Sequence, residues 1–342
     1  MIVSHSRLKD IYTACFTKAG IPRDESDILT RCYMNADLRG VHSQGICFLP
    51  TTCRSVLEGS MVSGTSLETV NEGACFALMD GNNGLGPVIA TRGMNFAIEK
   101  ALSQGLGCIV IRNANDLSML ANYTMQAIAH DCIGIAMTQG AAKVAPWGGR
   151  EPFFSTNPIS IAIPANKKYP IVLDMATSVV AAGKISQAAD NRETIPEGWA
   201  MDASGQTTTD PNEAIKGALF SLGGYKGFGL AIMVDVLSGV LAGMSMTRDA
   251  KAKRPWNAGQ FFLAIHVESF VPKDSFKDAI DEFIVDIKSC RTRPGFSEIK
   301  MPGERGCQAT EKSRDAGVEI PDFLWQDVIE LTDELNVAIQ SI

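Results

Sequence analysis

The sequence predicts a mixed α/β fold with a mixed sheet and helical terminal segments, rather than a doubly wound one. Three observations predict it. Both ends carry apolar residues at helical spacing: Leu8, Ile11, Tyr12, Cys15 and Phe16 at one, Leu324, Val328, Leu331 and Leu335 at the other. Short β-rich runs, "CIVIRNAN", "IGIAMTQ", "ISIAIP", "PIVLDMA" and "QFFLAIHV", lie between them. Helices and strands there alternate without a regular βαβ rhythm, and no internal repeat is present.

Taken in order, the first helix stops at Gly20 and Pro22, and a second runs from about Asp24 to Leu38 with Ile28, Cys32 and Ala36 on one face. "ADLRGVHSQGICFLP" leaves that helix as a loop, a place where catalytic groups are common. "ACFALMDGNNGLGPVIATRGMNFAIEKAL" reads as strand, glycine-rich turn and helix. Gly81, Gly84 and Gly86 do not keep the GxGxxG spacing and no Lys-Ser/Thr pair follows, so a tight turn with close helix packing is favoured. The strand at 108–115 precedes a helix from about Ser118 to His130. An apolar helix begins near Lys226, and further helices are expected from about Ser275 to Ser289 and from Asp322 to Ile339.

A chain of 342 residues can bury a large core, in two intimately connected domains. Its 45% hydrophobic and 20% charged residues are ordinary for a soluble globular protein. A net charge of −7 disfavours nucleic acid and anionic membranes as partners, so a small anionic substrate needs a local cationic site. Nine cysteines without a CxxC pair read as reduced core residues of a cytosolic protein. "MIVSHSRLKDIY" lacks the apolar run of a signal peptide, so a cytoplasmic location is expected. The membrane candidate, "GFGLAIMVDVLSGVLAGM" at 227–244, contains Asp235 and several glycines, which favour a buried core helix.

Chemistry-bearing residues are few. Of four histidines, His5 and His130 read as surface helix residues and His266 as a strand end. His42 and Ser43 could relay a proton in the helix-exit loop, because an unperturbed imidazole titrates near pH ~6.5. A lone loop histidine is more often a solvated or locally bonded side chain. No paired-histidine spacing points to a metal, and GxSxG is absent. "VAPWGG", "GGYKGFG" and "KMPGERG" could each present backbone amides to an anion, with Lys226 beginning a helix. Singly, each is a structural turn; together they suggest a dinucleotide.

"NADLRGVHSQG", "NPISIAIP", "VLDMATSVVAAGKI", "GGYKGFGLAIMVDVLSGVLAG", "QFFLAI" and "MPGER", in this order, resemble the type 2 malate/L-lactate dehydrogenase family. That family includes ureidoglycolate dehydrogenase, 2,3-diketogulonate reductase and piperideine-2-carboxylate reductases. The likeness runs from Leu8 to about Val337. It implies a non-Rossmann fold that binds NAD or NADP, oxidoreductase chemistry on a small metabolite, and a homodimer. It also implies a helical dimerisation segment at 1–65 plus 300–342, a substrate-side lobe at 66–120 and a nucleotide-binding lobe at 121–299.

The resemblance assigns the cofactor to Asp174, Met175, Ala176 and Thr177, to Lys226 and Gly227, and to Pro302, Gly303 and Glu304, all of which survive here. It places Asn157 and position 48 beside the substrate. The family loop usually reads Arg-Gly-x-x-Ser-His-Gly, and its histidine position holds Gln44. The arginine four residues on is Phe48, and in the pattern Asn-His-x-Gly the histidine is Asp116. Gln44 can orient a substrate but cannot move a proton, whereas Asp116 can do so if burial raises its pKa. These changes point to reduction of a C=N bond in a cyclic imine, or of a C=O group, in an altered substrate. The alternative is a chain that has lost redox activity and catalyses a non-redox step or binds a ligand.

Overall fold

The computed structural model describes residues 1–247 and 257–338. Helix α1 (His5–Lys18) starts at Ser4, whose hydroxyl accepts the Arg7 amide at 3.3 Å, an N-cap that satisfies one otherwise orphaned donor. Pro22 precedes α2 (Arg23–Leu38). Beyond the loop that leaves α2 lie α3 (Phe48–Leu57), α4 (Gly86–Gln104) and α5 (Ala121–Ile128). Next come α6 (Ala182–Asp190), α7 (Pro211–Lys216) and α8 (Tyr225–Ser238). The last three are α9 (Lys273–Ser289), α10 (Glu304–Ala316) and α11 (Asp322–Glu334).

Strand β1 (Ile2–Val3) pairs far along the chain, as given below. β2 (Glu68–Glu72), β3 (Phe76–Asp80), β4 (Leu106–Ala114) and β5 (Cys132–Thr138) belong to one large sheet. β6 (Ile159–Ile163), β7 (Ile171–Met175) and the later β11 (Ala258–His266) complete it. β8 (Ala200–Met201), β9 (Thr207–Thr208) and β10 (Ala218–Leu219) form a small separate sheet, and β12 (Val318–Glu319) pairs with β1. The large sheet has the order β2-β3-β4-β11-β5-β6-β7. Its β3–β4 pair is parallel and its other pairs are antiparallel, the mixed sheet expected from the sequence.

The two faces of the central strands separate cleanly. Ile109, Ile111 and Phe262 point into the main core, under α4 and α5, where Tyr123 meets Phe262 edge-on at 5.8 Å. Val110 and Phe261 point the other way, against Ala242 and Leu237. Gly86 at the start of α4 is required by close approach: a Cβ there would lie 1.9 Å from the Asp116 carbonyl oxygen. That is the tight-turn role expected of this glycine-rich segment.

Several expectations shift. The helix expected from Ser118 begins at Ala121, because Ser118 has φ 64° and cannot join a right-handed turn. The last helix ends at Glu334, and Ile339 lies outside the described residues. The terminal stripes are spent inside the subunit: Leu8, Ile11, Cys15, Val328 and Leu331 are wholly buried in one core. Each terminal helix thus buries one apolar face inside the subunit, as expected. The large sheet takes strands from both the 66–120 and the 121–299 intervals. The first and last segments meet through β1 and β12 and through the Arg54–Glu334 ion pair at 2.7 Å.

Helix α8 is only half a core helix. Ala231, Val234, Asp235 and Ser238 are buried, but Leu230, Met233 and Val236, and after them Val240 and Leu241, are exposed. The stretch Tyr225–Ala242 is long and apolar enough to cross a membrane by length and composition. All nine cysteines are free; Cys47 and Cys290 are exposed, so the core reading holds for only part of the set.

Candidate active site

Asp37 closes α2 and is the anchor of the loop that follows. Its carboxylate is fully buried. Oδ2 accepts the Tyr12 hydroxyl at 2.6 Å, and Oδ1 accepts the Ile46 amide at 3.1 Å and faces His42 Nδ1 at 3.0 Å. Burial pushes this carboxyl above its usual range, and the bonds from His42, Tyr12 and Ile46 pull it back only in part. Gly45 is needed where the carboxylate passes, since a Cβ there would lie 2.3 Å from Oδ1. His42 is thus not a freely solvated side chain. It is held by its Nδ1 in the 3₁₀ turn His42–Gln44. Asp37 was not among the site residues expected from the sequence.

Ser43 is exposed and Gln44 half-buried on that turn. The Gln44 carbonyl accepts the Ser118 hydroxyl, so the loop after Asn115 is tied to the loop after α2. Asp116 lies two residues before Ser118 and accepts its amide at 2.8 Å. Burial pushes the Asp116 carboxyl up, against that single bond. Tyr33 of α2 connects the remaining position: it donates to or accepts from Thr52 at 2.8 Å, and its ring lies 6.1 Å from that of Phe48. Phe48 is half-buried against the main core, so much of its apolar surface is engaged there already. Gln44, Asp116 and Ser118 therefore form one neighbourhood, with Phe48 at its edge through Tyr33.

The same loop reaches the other group of expected residues. The Ala121 amide, first in α5, donates to Asp174 Oδ2 at 2.7 Å. Asp174 is open on one side, yet protein encloses it on most others and pushes its carboxyl to about 6, against the Ala121 amide and the Arg39 guanidinium. Past Asp174 the chain carries half-buried Met175 and Ala176 to Thr177, whose hydroxyl donates to the carbonyls of Thr156 and Asn157 at 3.1 and 3.0 Å. The Thr177 carbonyl accepts the Leu222 amide at 2.8 Å, and Ser178 bridges Ser221. Gly227 packs onto this contact, with a Cβ there 2.7 Å from the Thr177 oxygen. "DMATS" and "GGYKG" are therefore one structural unit.

Lys226, on the first turn of α8, is exposed and has no ion-pair partner among the described residues. Ser221 nearby is 5% exposed and its Oγ has no partner there either. A free ammonium, an orphaned hydroxyl and the positive end of a helix fit a diphosphate. The third segment lies on the far side of β7. The Pro302 carbonyl accepts the Val172 amide at 3.0 Å, and the Gly303 carbonyl accepts from Arg39 at 3.4 Å. Glu304 accepts the Met301 amide at 2.9 Å and pairs with Lys288. Burial alone pushes its carboxyl up, but Lys288 and the amide outweigh that and leave it below the usual range. A cavity of about 670 Å³ bordered by Lys168, Tyr169, Lys288 and Glu304 opens beside it.

Asn157, expected beside the substrate, sits with the Thr177 segment. It is fully buried under α8, where its Nδ2 donates to the Ala231 carbonyl at 2.9 Å, with φ 36°. Its position belongs with Thr177 rather than with Gln44. No group of three or more His, Cys, Asp or Glu among the described residues is arranged to hold a metal ion.

Comparisons with known proteins match nearly the whole chain. The model of the malate/L-lactate dehydrogenase family matches residues 3–329. The malate dehydrogenase of Pyrococcus horikoshii is 36% identical over 98% of this chain and 96% of its own length. Its solved structure superposes with a TM-score of 0.91 at 35% identity, covering 98% of this chain and 96% of that one. The NAD(+) ureidoglycolate dehydrogenase of Escherichia coli is 31% identical, over 96% of this chain and 95% of that protein. A Δ1-pyrroline-2-carboxylate reductase of Burkholderia ambifaria is 32% identical, over 85% of this chain and 86% of that protein. The family match over residues 3–329 and the full-length likeness to its members lead to one conclusion: this chain belongs to the malate/L-lactate dehydrogenase family.

Proposed function

We propose that this chain is an NAD- or NADP-dependent oxidoreductase whose altered substrate is a small metabolite reduced at a C=N bond, as in a cyclic imine, or at a C=O group. The observation that carries the reading is the segment from Asp116 to Ala121. It holds a carboxyl raised by burial at one end and, at the other, fastens Asp174, which opens the segment whose Thr177 packs on Leu222 and Gly227. Relatives named as a ureidoglycolate dehydrogenase and a pyrroline-carboxylate reductase support both the cofactor and the substrate class.

In this reading Lys226 and the first amides of α8 hold the diphosphate, and the strand end from Asp174 to Thr177 lines the nucleotide. The nicotinamide supplies or takes up a hydride when bound. Asp116 gives a proton to the reduced atom when protonated, or balances an iminium charge when ionised. Gln44 orients the substrate through its amide, and Phe48 offers an apolar edge in place of a cation. His42, fixed by Asp37, shapes the loop.

Oligomerisation is part of the same proposal. The exposed stripe Leu230, Met233, Val236, Val240 and Leu241 is the apolar surface best suited to a second copy, in place of the terminal helices. The deciding experiment is a titration of NADH and NADPH followed by nicotinamide fluorescence, then turnover on a panel of cyclic imines and 2-oxo acids. Binding of neither nucleotide sinks the oxidoreductase reading and favours a non-redox role.

A further inference from the structure

Helices α1, α2, α4, α5 and α10 border a cavity of about 760 Å³. It uses a stripe of α2 (Thr30, Arg31, Met34, Leu38) distinct from the face that carries Tyr33 and Asp37. Its volume falls among small-molecule sites. Five basic side chains from three helices border it: His5, Lys9, Arg23, Arg31 and Arg314. None of the five side chains has a hydrogen bond or ion pair among the described residues. Asp27 is the one acidic side chain in the lining. In a chain of net charge −7, unpaired cations converging on one hollow concentrate positive potential there.

A second observation is independent of these charges. Thr30 lines the cavity, is 4% exposed, and its Oγ1 has no hydrogen-bond partner among the described residues. Gln126 lines it too: its Nε2 donates to Asn95 at 3.1 Å, but its buried Oε1 has no partner there. Buried polar groups are normally satisfied, so an orphaned donor and an orphaned acceptor in one cavity describe a ligand with both kinds of partner.

We propose that this cavity binds a small phosphorylated metabolite that also carries hydroxyl groups. The phosphate oxygens accept from Arg31, Arg314, Arg23 and the Thr30 hydroxyl, in the charge-assisted geometry that guanidinium groups favour. The ligand's hydroxyls donate to Gln126 Oε1 and Asp27. The site shares no lining residue with Gln44, Asp116 or Lys226, so it is separate from the proposed nucleotide site.

Calorimetric titration with ribose 5-phosphate at constant ionic strength tests it, with ribose as the uncharged control. One saturable site per subunit is expected, with no binding of ribose. The exposed pair Arg31→Gln/Arg314→Gln should weaken binding by about tenfold or more, as loss of charge-assisted bonds does. Thr30→Val should weaken it less, and Lys226→Ala should leave it unchanged. No saturable binding at millimolar concentration, equal binding of ribose, or unchanged affinity in the arginine pair would overturn the proposal. So would loss of binding in Lys226→Ala, which would place the ligand at α8. Each measurement is of binding alone, so its failure is distinct from failure of the oxidoreductase reading.

Discussion

Asp37 Oδ1 lies 3.0 Å from His42 Nδ1, and this contact decides which nitrogen of the imidazole is left for chemistry. A buried carboxylate that accepts from Nδ1 favours the tautomer protonated there, and leaves Nε2 as an acceptor. Asp37→Asn should therefore disturb the loop more than His42→Ala does. Removing the charge leaves the Tyr12 hydroxyl and the Ile46 amide with a weaker acceptor, at a cost of about 1–3 kcal/mol. Urea unfolding of both variants checks the order; equal stabilities would remove Asp37 as the anchor.

Asp116→Asn keeps the shape of the side chain and removes its charge and its acidity. If Asp116 moves a proton or balances a developing cation, kcat should fall by at least ~10²-fold. His42→Ala should cost less. A rate within about twofold of wild type for Asp116→Asn, on the natural substrate, excludes the carboxyl as the catalytic group and leaves His42 as the remaining titratable candidate among the residues proposed.

Lys226→Ala should weaken NADH or NADPH binding by about 1.5–3 kcal/mol, the value of a charge-assisted contact. The loss should be larger at low salt, because the ammonium is exposed. An affinity equal to wild type in a fluorescence titration takes Lys226 out of the site.

Asp174 sets a pH dependence whose sign follows from its raised carboxyl. The folded state takes up this proton near pH 6, whereas an unfolded Asp does so near its ordinary value of 3.8. This group therefore opposes folding at neutral pH, and the opposition fades as pH falls from about 6 toward 3.8. The advantage of Asp174→Asn over wild type in thermal unfolding, measured without nucleotide, should shrink across that window. A constant difference between the two proteins would contradict it.

The exposed stripe of α8 predicts self-association. Met233, 56% exposed, sits at its centre, so Met233→Asp should raise the dimer dissociation constant by about tenfold or more without lowering the melting temperature of the subunit. Sedimentation at micromolar concentration decides. A monomeric wild type removes the proposal.

Much of the fold was legible because the buried strands announce themselves. "CIVIRNA" and "QFFLAIH" are apolar on both faces, and they became the two central strands β4 and β11. Boundaries were less legible where side chains take positive φ, as at Ser118, since nothing in "NDLSML" marks a left-handed residue. Helix α8 is apolar all round, so periodicity could not tell its inner from its outer face. In the site, "DMATS" and "GGYKG" were legible as segments, but their contact through Thr177 and Leu222 is a tertiary fact. Asp37 was missed because a lone acid at a helix end looks solvated. The available signal was its place four residues after Tyr33, on a face already aromatic, and the glycine at position 45 that lets its carboxylate pass.

The Ser118 hydroxyl grips Gln44 by its main-chain carbonyl and leaves the amide side chain out of the bond. The framework at this corner is thus indifferent to what position 44 displays. A residue there can be exchanged as a tool bit is exchanged in its holder, with the loop keeping its place while the displayed side chain changes. A family that accepts many small substrates needs such a joint, and a library varied at position 44 alone should return mostly folded proteins.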